Sequence, residues 1–392
     1  MKLAEVTADI NRTAALPLLC AQTLPAAAYT SEAYFAQETE QLLRAGWLCA
    51  GHVSQFQQPG AILPIDLLGE PILLVRGEDS AIRAFSRVCP HRASDILLAG
   101  EATDCNARRS VLICPYHRWS FSFDGHLLSA PHMQQAQNFN TADWHLAAIR
   151  SALWQGFIFV NLDGSATDLE TQYTDFTTTV APWRLAELEL VISLDWECNF
   201  NWKVMVENWI ECYQHLGPHS KTLNRFMPAQ DTWSEPPNSA FIHAHLPMTG
   251  HAAVPELAAI REGTKGSGFT PLPGLTMEQQ SEWNLFVGFP CFMLLLARDR
   301  AIWYRLQPIS AGRCKLITTT LVTRASLAEP DYAKLLRAET KMLQDFHLED
   351  MGVNEAVQRG LQSRHAVRGR LSHLEETVWQ FHRQLAARMG AQ

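Results

Sequence analysis

The stretch Asn201–Asn224, NWKVMVENWIECYQHLGPHSKTLN, gathers two carboxylates, Glu207 and Glu211, and two histidines, His215 and His219, into one helix-like run. A proline disfavours helical backbone at the residue before it, so Gly217-Pro218 predicts the end of that helix and swings His219 back towards His215. Acid and imidazoles then converge on one side of one element. A third ligand from elsewhere in the chain completes a mononuclear metal site.

The chain around this stretch has 392 residues, enough for two domains with separate cores. Its 47% apolar and 18% charged residues are an ordinary globular balance, and a formal charge of -8 offers no basic footprint for nucleic acid. A small or neutral partner is expected. No run approaches the roughly 18 apolar residues of a membrane span. The apolar patch Ala14–Ala28 is broken by Pro17, Gln22 and Pro25 and comes after Glu5 and Asp9, which is unlike a secretory signal. The expected location is the cytoplasm. Nine cysteines, an odd and widely spaced set, do not form a disulfide framework.

Residues 1–28 read as a loose arm, and Ser31 as the N-cap of a short helix that packs on the neighbouring module. From Trp47 to Leu162 short apolar runs alternate with tight turns at Gly69-Glu70 and Gly77-Glu78, the texture of an all-β module. Within it lie Cys89-Pro90-His91 and Cys114-Pro115-Tyr116-His117, each a thiolate beside an imidazole. One iron held by two cysteines and a second held by two histidines is the ligand set of a Rieske [2Fe-2S] centre. A structural zinc ion accepts the same four atoms and is the competing reading, although neither half has zinc-finger spacing.

After Leu162 the run GSATDLETQYTDFTTT reads as a polar linker. ELELVISLDWECNFNW is a strand entering the helix of the opening stretch, and WNLFVGFPCFMLLLA, RAIWYRLQPIS and CKLITTTLV imply an antiparallel sheet. Met248–Gln280, rich in Gly, Pro and Thr, reads as a lid over a pocket. Helical periodicity returns over Asp331–Ser363 and in the final run LSHLEETVWQFHRQLAARM.

The paired Cys/His loops, with the Asn201 stretch after them, resemble the catalytic α subunits of Rieske non-haem iron oxygenases over about residues 30–390. The segment Arg92–Ile113 is longer than relatives have, with EATDCNARRS as the insertion and Cys105 incidental to the chemistry. The resemblance implies an α+β chain: an arm and helix at 1–45, an all-β Rieske domain at 46–165, and a helix-grip catalytic domain at 166–392. It also implies a [2Fe-2S] cluster on Cys89, His91, Cys114 and His117, and mononuclear Fe(II) held by two histidines and a carboxylate. His219 lies at the family's spacing from Glu211. Asp350, the second acid of an E-D pair, is the implied carboxylate, with Glu349 pointing about 100° away on the helix. The family's first histidine falls on Gln214. On a helix, positions three and four beyond Glu211 lie on either side of its face. Either His215 therefore serves instead, or Gln214 leaves the iron site weakened or empty. Glu211 is implied as the catalytic bridging acid between the cluster of one subunit and the iron of its neighbour in a homotrimer, with Glu207 and Asn208 as support.

No nicotinamide or flavin fingerprint is present, so electrons from NAD(P)H are expected through a separate reductase, with a ferredoxin as a further partner. The ECY-x-H form resembles monooxygenases that hydroxylate or dealkylate amines and quaternary ammonium compounds. Trp233, Trp283, Phe286 and Phe289 are candidates to line a pocket for a cation. Two alternatives stay open: an aromatic-ring hydroxylating dioxygenase, and a non-catalytic Rieske electron-transfer subunit whose iron site has degenerated at Gln214.

Overall fold

A computed structural model describes residues 3–97 and 110–390, so Cys105 and nearly all of the insertion lie outside the described residues. Two compact units divide the chain, Trp47–Leu169 and Met1–Gly46 with Glu170–Gln392.

The N-terminal segment is helical where a loose arm was expected, with α1 (Leu3–Ala14) and α2 (Ala27–Thr30), and the expected helix follows as α3 (Glu32–Glu38). Val6, Ile10 and Ala14 recur every fourth residue and are buried. Such a stripe needs a partner to hold it as a helix. The C-terminal helix supplies one, with Trp379 Nε1 donating to the Leu16 carbonyl at 2.8 Å. Ser31 caps α3 as predicted, its hydroxyl accepting the Tyr34 N–H at 3.2 Å. The anchor of this helix lies within its own unit, where the sequence suggested the neighbouring β module. Its last residue, Glu38, meets the ammonium of Lys203 at 2.8 Å, both side chains being fully buried.

The unit Trp47–Leu169 is built of strands β1 (Leu48–His52), β2 (Ile62–Leu67), β3 (Glu70–Arg76), β4 (Ile82–Ser86), β5 (Leu112–Ile113), β6 (Ser120–Phe121), β7 (Leu127–Ser129), β8 (Ala148–Trp154) and β9 (Phe157–Asn161). They form a six-stranded sheet in the order β1-β9-β8-β4-β3-β2 and a three-stranded sheet β5-β6-β7, with all pairings antiparallel. The two-residue turn joining β2 to β3 has Leu68 at φ 52° and Gly69 at φ 80°. Two successive left-handed residues match the twist of the flanking strands, and glycine enters that region at no steric cost. Cys89 and Cys114 belong to this unit's core, packed with Ile62, Leu73, Phe85, Trp119 and Phe121.

After α4 (Leu169–Gln172), the second unit continues with α5 (Thr174–Val180), where the sequence suggested a linker. Tyr173, Phe176 and Val180 are buried at helical spacing, and the threonines between them concealed that stripe. Next come β10 (Glu189–Cys198), α6 (Trp202–Ile210), β11 (Trp233–Ser234), β12 (Phe241–Pro247), α7 (Val254–Glu262), α8 (Met277–Gln280), β13 (Glu282–Gly288), β14 (Phe292–Leu296), β15 (Arg300–Ser310), β16 (Arg313–Val322), α9 (Arg324–Leu327), α10 (Tyr332–Leu361) and α11 (Glu376–Met389). The strands make one antiparallel sheet in the order β10-β16-β15-β14-β13-β12-β11. The 30-residue α10 packs against β10 and α6. Its buried stripe is Leu335, Glu339, Leu343, His347, Asp350, Asn354 and Gln358, apolar at its start and polar towards its end. Each turn after Leu343 therefore delivers a polar group to the interior. Among the described residues no helix is long and apolar enough to cross a membrane.

Candidate metal centres

The two Cys/His loops meet at one end of the β unit. Backbone bonds tighten both: Ala93 N donates to Cys89 O at 3.0 Å, and Arg118 N to Cys114 O at 3.1 Å. The thiols of Cys89 and Cys114 are buried and adjacent, and burial first, then each other's proximity, pushes the Cys89 thiol up to about 11. The rings of His91 and His117 lie 4.6 Å apart, and His91 stacks on Trp119 at 4.7 Å. Both imidazoles are partly exposed, and Nδ1 of His117 is buried without a hydrogen-bond partner.

Thiol beside thiol and imidazole beside imidazole is the pairing of a Rieske centre, in which one iron takes the two cysteines and the other the two histidines.

In the other unit α6 begins at Asn201, whose side chain accepts the Lys203 N–H at 2.9 Å. The helix ends at Ile210, not at Gly217: Glu211 is extended, at φ -105° and ψ 155°. Its carboxylate accepts the N–H of Gln214 at 3.0 Å, a residue of a separate helical turn, Tyr213–Leu216, that starts after Cys212. Residues 214 and 215 therefore do not share a helix with Glu211, contrary to the sequence expectation. Burial pushes the Glu211 carboxyl up to about 8; the Gln214 N–H opposes this and Glu375 adds to it. No hydrogen bond joins Glu211 to either histidine among the described residues.

The Gln214 amide is bonded at both ends to Asn208. Its Nε2 donates to the Asn208 carbonyl at 2.5 Å, and its Oε1 takes a short bond from Asn208 Nδ2. His215, 3% exposed, is held through Nδ1 by the Met227 carbonyl at 2.8 Å. Burial lowers its pKa to about 4, so the ring is neutral near neutral pH. His219 is gripped at both nitrogens: Nδ1 lies 2.6 Å from Glu349 Oε2 and Nε2 lies 2.9 Å from Asp350 Oδ1. Burial opposes charge on this ring, but the two carboxylates outweigh it and raise its pKa.

Two participants were missed in the sequence, Glu349 and His347, while Asn208 was expected as support. Glu349, set aside on helix geometry, binds His219 and also Thr222 Oγ1 at 2.8 Å. Neighbouring acids diverge on a helix, yet one imidazole is wide enough to span both. Asn208 connects Gln214, Asp350 at 3.5 Å and Asn354 at 3.1 Å. His347 is buried between Trp196 and Tyr304, with neither nitrogen hydrogen-bonded. Only its spacing of three from Asp350 signalled it.

The donors fit a ferrous ion chemically: His215 is anchored through Nδ1 and keeps Nε2 for a metal, and His219 is anchored through Nδ1 on Glu349 with Nε2 against Asp350, where an ion would take the place of the ring proton. The donor atoms of His215, His219 and Asp350 are not all within 4.8 Å of one another, so an ion would draw His215 inward.

A cavity of about 720 Å³ adjoins this site, lined among others by Met227, Phe346, Trp283, Asp299, Arg300 and Glu339. The ring of Phe346 lies 6.2 Å from that of His219. Met248 and Gly266–Phe269, from the segment expected as a lid, form part of the wall. Of the aromatic candidates, Trp283 lines the cavity, Phe286 and Phe289 are core, and Trp233 is half-exposed at the sheet edge.

A buried thiol pair facing an imidazole pair in one unit, and a histidine–carboxylate cluster beside a cavity in the other, define a two-centre iron protein. The chain belongs to the family of ring-hydroxylating alpha subunits, whose catalytic-domain model matches residues 185–391, and the Rieske [2Fe-2S] domain model matches residues 46–140. A [2Fe-2S] cluster and a mononuclear iron are the cofactors of these domains.

Among its relatives is the carnitine monooxygenase oxygenase subunit of Acinetobacter pittii, 35% identical over 50% of this chain and 52% of that protein. The chain thus matches about half the length of such curated relatives. The chloroplastic choline monooxygenase of Atriplex hortensis is 24% identical over 94% of this chain and 78% of its own. The crystal structure of the quaternary ammonium Rieske monooxygenase CntA in complex with L-carnitine superposes with a TM-score of 0.78 at 25% identity, covering 96% of this chain and 98% of that one.

Proposed function

We propose that the protein is the terminal oxygenase component of a Rieske non-haem iron system, acting on a small quaternary ammonium or amine substrate by hydroxylation or oxidative dealkylation. Cys89, Cys114, His91 and His117 hold the cluster, and His215, His219 and Asp350 hold the iron. When bound, these groups supply stored electrons and dioxygen activation. The protein's own part is to position and to exclude water. Met227 O and Glu349 fix the two imidazole planes through Nδ1, Asn208 bonds the Gln214 amide at both ends, and the apolar side chains of Phe346 and Met227 line the cavity beside the site.

The observation that carries this reading is the anchoring of both His215 and His219 through Nδ1 beside Asp350, at the edge of the cavity. It favours a working iron site over a degenerate one. The substrate class rests on the likeness to the carnitine and choline monooxygenases; the acids of the cavity wall, Glu256, Asp299 and Glu339, are paired with Arg298 and Arg300. A separate reductase, with a ferredoxin between, supplies electrons from NAD(P)H, and the partly exposed His91 and His117 present the cluster's outer edge to a partner. In a homotrimer Glu211, half-buried and with its pKa raised, is suited to bridge one subunit's cluster to the next subunit's iron.

The test is iron analysis of the purified chain, then substrate-dependent oxygen uptake with a surrogate reductase. Three irons per chain and uptake with quaternary ammonium compounds are expected. Uptake with aromatic hydrocarbons alone would move the assignment to ring hydroxylation, and two irons without uptake would leave an electron-transfer subunit.

A further inference from the structure

Outside both iron sites the structure brings together a second set of metal donors. His243 and His245 alternate with Ala244 on β12, so both project from one face of the sheet. On the neighbouring β13, His245 is in register with Asn284 and Leu246 with Trp283. Trp283 lines the cavity, so the two histidines lie on the opposite face of the sheet from it. Glu235 comes directly after the edge strand β11, and its N–H donates to the His243 carbonyl at 3.0 Å, which holds it across from the histidine pair.

Each imidazole is already oriented as a ligand. Nδ1 of His245 lies 3.0 Å from Glu282 Oε1, and Nε2 of His243 lies 2.8 Å from Asn284 Oδ1. Each acceptor takes one ring proton and leaves the other nitrogen with a lone pair, the arrangement by which a carboxylate or amide behind a histidine fixes its tautomer for a metal. The remaining nitrogen of His245, Nε2, is buried without a hydrogen bond and lies 3.5 Å from Glu235 Oε1. The two rings are 4.0 Å apart, and Trp233 stacks flat on His245 at 3.7 Å. Burial, then the neighbouring ring of His245, lowers the pKa of His243 to about 3, which keeps this imidazole neutral.

We propose that Glu235, His243 and His245 form a further metal site that takes a zinc ion, with a water molecule as the fourth ligand. Two imidazoles and one carboxylate are a zinc donor set. All three donor atoms already lie within 4.8 Å of one another. Tetrahedral zinc needs them about 3.4 Å apart. Glu235, whose side chain is 47% exposed, can close that distance without disturbing the core. A zinc ion there clips the short edge strand β11 to β12, and the side open to solvent holds the water. The site shares no ligand with the iron centres and is independent of the activity proposed above.

The experiment uses the full chain, loaded with its cluster, carrying His219→Ala and Asp350→Ala to remove the other histidine–carboxylate site. After equilibrium dialysis against zinc chloride, one zinc per chain is expected by elemental analysis. X-ray absorption at the zinc edge is expected to show two imidazoles and no sulfur. Adding Glu235→Ala, a half-exposed position whose loss leaves the fold intact, weakens zinc binding at least tenfold, and adding His245→Ala abolishes it. No bound zinc, zinc with sulfur neighbours, or binding unchanged by Glu235→Ala would each overturn the proposal.

Discussion

Glu349 Oε2 lies 2.6 Å from Nδ1 of His219. The next residue, Asp350, holds the other nitrogen of the same ring at 2.9 Å, so two consecutive acids on α10 clamp one imidazole. The first fixes the ring's plane and tautomer, and the second stands where a metal would be shared. Carboxylates behind metal-bound histidines typically account for 10–100-fold in metal affinity. Glu349→Ala is therefore expected to weaken mononuclear iron binding by that factor while leaving the Rieske visible spectrum unchanged. Iron content after dialysis, set beside that spectrum, checks it; equal iron retention would deny Glu349 this part.

His215 and Gln214 are distinguished by what each holds. Gln214 is spent on Asn208, whereas His215 uses only Nδ1, on the Met227 carbonyl. His215→Ala should lose the mononuclear iron and substrate-dependent oxygen uptake, while Gln214→Ala keeps both within a few-fold. The opposite ranking in iron analysis would make residue 214 the functional position.

The ion pair between Glu38 and Lys203 joins α3 to α6 with both side chains fully buried, and Trp202 Nε1 adds a bond to Glu38 at 2.9 Å. Removing one partner strands the other charge, at a cost of about 3–5 kcal/mol. Glu38→Ala should lower unfolding stability by that amount in a denaturant titration. The double variant Glu38→Leu with Lys203→Met should recover most of it, because the stranded charge is then gone.

Glu211 predicts a pH dependence. Its carboxyl is raised from the usual 4.5 to about 8 in the folded chain, chiefly by burial. Between those values the unfolded chain has lost this proton while the folded chain keeps it, so the folded state binds more protons. Stability therefore falls as pH rises through that window, by up to about 1.4 kcal/mol per pH unit, and levels off above it. Glu211→Gln should flatten the fall between pH 5 and pH 8 in thermal melts; an unchanged slope would assign the dependence to other groups.

Much of this was legible in the chain. The Cys89/His91 and Cys114/His117 loops announce themselves because metal ligation needs particular residue types at close spacing, and the spacing is local. The all-β texture, the β10-to-α6 transition, the Ser31 cap and the two C-terminal helices arise from periodicities of two and 3.6 that neighbouring residues alone define. The α1 helix was not legible as structure, since its stripe of Val6, Ile10 and Ala14 means little without the C-terminal helix that covers it. Likewise α5 was hidden by threonines that bond back to its own carbonyls, as Thr177 Oγ1 does to Tyr173 at 2.8 Å.

By itself, then, the order of residues determined which atoms were available to two metal centres and which kind of unit carries each. It could not decide between Gln214 and His215, because that choice depends on where α6 stops and on a carbonyl at residue 227 and an amide at residue 208. Nor could it reveal Glu349 as the second grip on His219, 130 residues apart, or the meeting of Glu235 with His243 and His245 across a strand pair. Donor identity is a property of the residue, but donor direction is imposed by hydrogen bonds from distant segments, and those exist only once the sheet and α10 have packed.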